Sequence, residues 1–131
     1  MKILLVGHAE FPQGLLSAAR MIVGDRATAA VVAIGLTDLA MFKAEVTEAL
    51  TGATGVLVLA DLMGGSPCNT VLEVARELDI VPQIRVITGA NLGLLIEFAL
   101  ARKEPTTGEV ITRAAPRELT LAPNDDEDEA L

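Results

Sequence analysis

Four short runs of Val, Ile and Leu recur along the chain, at Lys2 to Gly7, Ala30 to Ile34, Val56 to Ala60 and Ile84 to Thr88, and a longer segment of helical period follows each. Runs that stay apolar throughout, without polar alternation, suit strands covered on both faces. Strand and helix in strict alternation is the pattern of a parallel sheet built from crossover units. The fold class is therefore α/β.

The helical stripes can be followed residue by residue. Phe11, Leu15, Ala18, Ala19 and Ile22 mark the first, with Pro12 in its opening turn and Gly24 as its stop. Leu39, Phe42, Val46, Ala49 and Leu50 mark the second, after Asp38 as N-cap and before Gly52. Val71, Leu72, Ala75 and Leu78 mark the third, behind Ser66-Pro67, where Ser reads as the N-cap and Pro as the first helical residue. Leu92, Leu95, Ile96 and Ala99 mark the fourth, after Asn91. Beyond Arg102 the pattern fades: Glu109 to Arg113 fits a short strand or helix, and Glu118 to Ala122 an edge strand. The expected organisation is a single domain over 1–123 and an acidic, disordered tail over 124–131.

Composition excludes several function classes. Half of the 131 residues are hydrophobic, enough to build a core without disulfides or metals. Cys68 is the single cysteine and has no internal partner for a disulfide. One His, one Cys and scattered carboxylates lack the spacing of a zinc ligand set, so neither metal nor cofactor is expected. No basic, apolar leader opens the chain, and no run approaches the roughly 20 apolar residues of a membrane span. A cytoplasmic protein is expected, with any membrane role exercised through a partner. Of the formal net charge of -8, five charges belong to Asp125, Asp126, Glu127, Asp128 and Glu129, which leaves -3 for the rest. That body offers no basic footprint for nucleic acid, and without Trp or Tyr it has little to stack on bases.

The residues that carry chemistry lie at strand ends. In open parallel sheets, ligands gather at the carboxyl edge where strand order reverses. For four units the flavodoxin-like order 2-1-3-4, with helices on both faces, is the commonest precedent, and it makes the first and third strands neighbours there. His8, the only histidine, follows the first strand, and Asp61 closes the third. A carboxylate beside an imidazole fixes one ring tautomer and leaves the other nitrogen as a nucleophile. After Asp61, Gly64-Gly65-Ser66-Pro67 makes a tight turn into a helix, where free N–H groups suit an anion. Together His8, Asp61 and a cradle of Gly64, Gly65 and Ser66 describe a site for a phosphoryl group on histidine. Blander readings stand beside it: Asp61 capping a turn, Ser66 serving only as a cap, Cys68 packing against the sheet, and Glu10 as a solvated loop charge.

In Gly7-His-Ala-Glu-Phe-Pro-Gln-Gly-Leu15 and Asp61-Leu-Met-Gly-Gly-Ser-Pro-Cys-Asn69 the chain resembles the EIIA components of the mannose family of the bacterial sugar phosphotransferase system. Thr88-Gly-Ala-Asn-Leu-Gly-Leu-Leu-Ile-Glu97 is similar to the family's segment joining the fourth strand to its helix, so the likeness covers about 2–102. The resemblance implies a phosphotransferase component in which His8 accepts phosphate from HPr and passes it to an EIIB protein or domain. That partner serves sugar uptake through a membrane permease. In the same way Asp61 matches the carboxylate that binds the histidine and Ser66 the hydroxyl beside it. A homodimer is also implied, in which a late, fifth antiparallel strand is exchanged between subunits. The chain departs from many relatives in carrying Ala9 after the histidine, and Leu62 and Met63 where aromatic residues are common.

Three rival readings stand behind this one, the first two sharing the fold. One is the phosphoryl-donor subunit of a dihydroxyacetone kinase, and another is a flavin- or nucleotide-binding module, although no GxGxxG or Walker loop is present. The third is a regulatory phosphoprotein.

Overall fold

The computed structural model describes residues 2–101. The elements run β1 (Lys2–His8), α1 (Phe11–Ala27), β2 (Val31–Leu36), α2 (Leu39–Leu50), β3 (Val56–Ala60), α3 (Ser66–Glu77), a 3₁₀ turn (Val81–Gln83), β4 (Ile84–Thr88) and α4 (Leu92–Leu100). All strand pairs are parallel, and the sheet order is β2-β1-β3-β4, the expected one. The elements expected at 109–113 and 118–122, the expected exchange of a fifth strand and the expected disordered tail fall outside the described residues.

Alternation along the central strands divides the interior into two cores. Ile3 and Leu5 of β1, with Leu57 and Leu59 of β3, meet Leu16 and Ala19 of α1 and Leu94, Leu95 and Phe98 of α4. Leu4, Val6, Val58 and Ala60 point the other way, onto Phe42, Val46 and Leu50 of α2 and Cys68, Val71 and Val74 of α3. Successive strand residues face opposite sides, so a continuous apolar run fills both layers. Burial of each large side chain, Phe42 or Phe98 for instance, contributes about 2–3 kcal/mol.

Helix ends follow the residues with local chemistry. Asp38 caps α2 by accepting the Met41 N–H at 2.8 Å, and Asn91 caps α4 through the Leu94 N–H at 2.9 Å. Gly24 interrupts α1 with φ 91° and ψ 170°, so the regular helix stops there and one more turn follows. The buried Thr28 hydroxyl ties off that turn by donating to the Gly24 carbonyl at 3.0 Å.

Several sequence expectations need correction, among them Leu39 of the second stripe, which is 57% exposed. The buried face of α1 is Pro12, Leu16 and Ala19, while Ile22 is 60% exposed and Phe11 40% exposed. The segment Leu15 to Val23 is apolar on more than one side, so two phases fit it equally. In α4 the buried residues are Leu94, Leu95 and Phe98, because all its residues but Gly93 and Glu97 are apolar and no single stripe is marked. Strand β2 begins at Val31 and reaches Leu36, two residues beyond the expected end at Ile34.

Candidate functional site

Strand β1 outruns one of its neighbours. It stays paired with β2 as far as His8 opposite Leu36, but its pairing with β3 ends at Val6 opposite Ala60. Asp61 leaves β3 at that point, its N–H donating to the Val6 carbonyl at 3.2 Å. Its carboxylate then replaces the missing strand. Oδ2 accepts the His8 backbone N–H at 2.9 Å and pairs with the imidazole Nδ1 at 2.7 Å, while Oδ1 accepts the Leu62 N–H at 2.8 Å.

The two partners differ in exposure: the Asp61 side chain is 12% exposed and that of His8 48%. Burial alone would raise the Asp61 carboxyl. The hydrogen bonds from the His8 ring, the His8 N–H and the Leu62 N–H outweigh that effect and hold it below its usual value of 3.8. The carboxylate is therefore ionised at neutral pH and only accepts. Nδ1 therefore carries a proton, and in the neutral ring Nε2 holds the lone pair. Among the described residues no hydrogen bond engages Nε2.

Glycines make this approach possible, and two of them escaped the sequence reading. A Cβ on Gly7 would lie 3.1 Å from Asp61 Cγ, Asp61 Oδ2 and Phe11 Cδ2, so the carboxylate and the Phe11 ring both close over bare backbone. A Cβ on Gly35 would lie 1.9 Å from the Ala9 carbonyl oxygen, a distance no side chain tolerates. The loop after His8 thus rests directly on β2, where the Ala9 N–H also donates to the Leu36 carbonyl at 2.9 Å. The available signal was a glycine inside an apolar strand run, which marks close backbone approach. Ala9 itself has φ 51°, a left-handed conformation taken here without glycine.

The turn after β3 completes the site. Gly64 has φ 75°, and Gly65 lies against the imidazole, for a Cβ there would be 3.2 Å from His8 Cε1. Gly65, not Ser66, is the N-cap of α3: it is extended, its carbonyl accepts the Asn69 N–H at 3.0 Å, and no side chain caps the helix. Ser66 is the first helical residue and exposed, with Pro67 second. The reason is that the left-handed Gly64 completes the turn one residue earlier than a Ser-Pro pair suggests. Cys68 is buried in the core beneath α3, consistent with packing. Glu10 is exposed, as a loop charge should be. Leu62 and Met63, 58% and 82% exposed, stand on the surface beside the turn.

The turn, the oriented imidazole and the exposed Leu62 and Met63 thus lie together at one end of the sheet. A family model described as "PTS system fructose IIA component" matches residues 2–115. The mannose/sorbose specific IIA subunit of the phosphotransferase system from Enterococcus faecalis superimposes with a TM-score of 0.74 at 32% identity, covering 92% of this chain and 96% of that one. The PTS IIA protein associated with the fucose utilization operon of Streptococcus pneumoniae gives 0.72 at 31% identity, covering 86% and 87%. Phosphotransferase system component EIIA from Streptococcus agalactiae gives 0.71 at 28% identity, again covering 86% and 87%.

Proposed function

The chain belongs to the EIIA-man family, the IIA components of the phosphotransferase system, and from that membership we propose that it carries a phosphoryl group on His8 Nε2 between two protein partners. The donor is the phosphohistidine of HPr and the acceptor an EIIB protein or domain. The bond from Nδ1 to Asp61 at 2.7 Å carries this reading, because it leaves Nε2 as the nucleophile.

In the first transfer the Nε2 lone pair attacks phosphorus in line. A P–N bond forms to His8 as the donor's P–N bond breaks, and the donor ring nitrogen keeps the electron pair. His8 loses no proton in this step. Its ring becomes cationic, with Nδ1–H still on Asp61, and the carboxylate balances that charge at short range. In the second transfer Nε2 is the leaving group and keeps the pair. A carboxylate suits both directions, since it steadies the ring without adding a cation that would trap the phosphate. The Gly64 to Ser66 turn supplies N–H donors for the phosphoryl oxygens, and Ser66 adds a hydroxyl at the same rim.

The sugar is chosen elsewhere in this reading. Of two neighbours of nearly equal identity, one is mannose/sorbose specific and the other is associated with a fucose utilization operon, which accords with selection by EIIB and the permease. Cytoplasmic location and a homodimer belong to the same proposal. No helix among the described residues is long and apolar enough to cross a membrane.

Reconstitution with phosphoenolpyruvate, enzyme I and HPr tests the proposal. Acid-labile phosphate should map to His8 and vanish in His8→Ala. Label that persists in His8→Ala overturns it.

A further inference from the structure

We propose that Asn69 is the positioning residue for the turn that faces His8, an inference that rests on the reading of His8 as the phosphoryl carrier. Asn69 lies one turn into α3 and engages two consecutive carbonyls at once. Its backbone N–H donates to Gly65 at 3.0 Å, the ordinary opening bond of the helix. Its carboxamide Nδ2 donates to the Gly64 carbonyl at 3.1 Å, across five residues and outside the helical ladder.

Gly64 needs such a partner. It precedes the helix, has φ 75° and carries no side chain to limit rotation. Among the described residues no other hydrogen bond engages its carbonyl oxygen. Gly65, the other residue of its peptide, approaches the imidazole: a Cβ there would lie 3.2 Å from His8 Cε1, a ring carbon bonded to Nε2. In a trans peptide the C=O and N–H point in opposite directions. A carboxamide that draws the Gly64 oxygen toward α3 therefore turns the Gly65 N–H to the opposite side. It also holds an electronegative oxygen at a fixed place, out of competition with the three phosphoryl oxygens. Asn69 touches neither His8 nor the phosphate in this scheme; it acts through the peptide.

The test compares wild type with Asn69→Ala and with the isosteric Asn69→Asp, whose ionised carboxylate has no proton to donate. Phosphorylation by phospho-HPr is followed over a range of HPr concentrations, with melting curves on the same samples. In both variants kcat should fall roughly tenfold or more, as small misplacements at a reacting centre do. KM for HPr should stay within about twofold, because no docking contact is removed. If Asn69→Ala does not fold, Asn69→Asp decides. A folded variant with wild-type kcat, or a loss of kcat that only tracks the unfolded fraction, overturns the role of Asn69. Failure of wild type to take label on His8 overturns the carrier reading and this inference with it. Label on wild type with indifferent variants removes the inference alone.

Discussion

A single oxygen of Asp61 holds His8 twice, accepting the backbone N–H at 2.9 Å and the ring Nδ1–H at 2.7 Å from a residue 53 positions away. The imidazole is thus referenced to its own main chain through one atom. Replacing that oxygen with an amide tests the arrangement. In Asp61→Asn the side chain can turn its NH₂ to Nδ1 and favour the opposite tautomer, which puts the proton on Nε2. Phosphoryl transfer from phospho-HPr should slow by on the order of a hundredfold or more, with the secondary structure retained in circular dichroism. Rapid-quench rates at saturating HPr check this.

The same carboxylate makes stability depend on acid. Its native pKa is held below the usual 3.8 by three hydrogen bonds, so the unfolded chain binds this proton more readily. The contribution is fully present above about pH 4–5. It is lost as pH falls through the lowered native value. Urea unfolding of wild type and Asp61→Asn should show a constant gap in stability from neutral pH down to about pH 5 and a shrinking gap below it.

Ala9 occupies left-handed backbone, φ 51°. Such a conformation costs an L-residue about 1–2 kcal/mol, and glycine avoids the cost while losing about 0.4–1 kcal/mol to its freer unfolded state. Ala9→Gly should therefore stabilise the protein by about 0.5–1 kcal/mol. Ala9→Val should destabilise it, since a β-branched side chain is worse still there. Denaturant midpoints for the three proteins give the order.

Gly35→Ala places a methyl against the Ala9 carbonyl, with 1.9 Å available. Either β2 or the loop after His8 must move. We expect a loss of about 1–3 kcal/mol together with reduced labelling of His8. Gly14→Ala is the contrast, for nothing lies within 4 Å of a Cβ there. At the end of the first turn of α1 that change should raise stability by up to about 1 kcal/mol and leave labelling unchanged.

The sheet order was legible because four apolar runs separated by helical segments admit few topologies, and the meeting of His8 with Asp61 followed from that order. Contacts made by backbone were harder to read. Gly7 and Gly35 shape the site by lacking a side chain, and a sequence displays the residue but not what approaches it. The cap of α3 was misread by one residue, since Ser66-Pro67 has the chemistry of a helix start while Gly64, at φ 75°, sets where the turn ends. The face of α1 was misplaced because Leu15, Leu16, Ala18, Ala19, Met21, Ile22 and Val23 fit two rotations of one helix. Burial against β1 and α4 chooses between them.

The end of β1 is tied on both flanks, by the Leu36 carbonyl on one side and by a carboxylate acting as a last rung on the other. A histidine mounted in this way is a socket, not a swinging arm. In the proposed relay, two proteins that exchange cargo at the same nitrogen find it at one address, so the shape-matching falls to the visitors. On that proposal the flexibility the relay needs resides in its partners, and the donor and the acceptor should both carry surfaces moulded to the same rim.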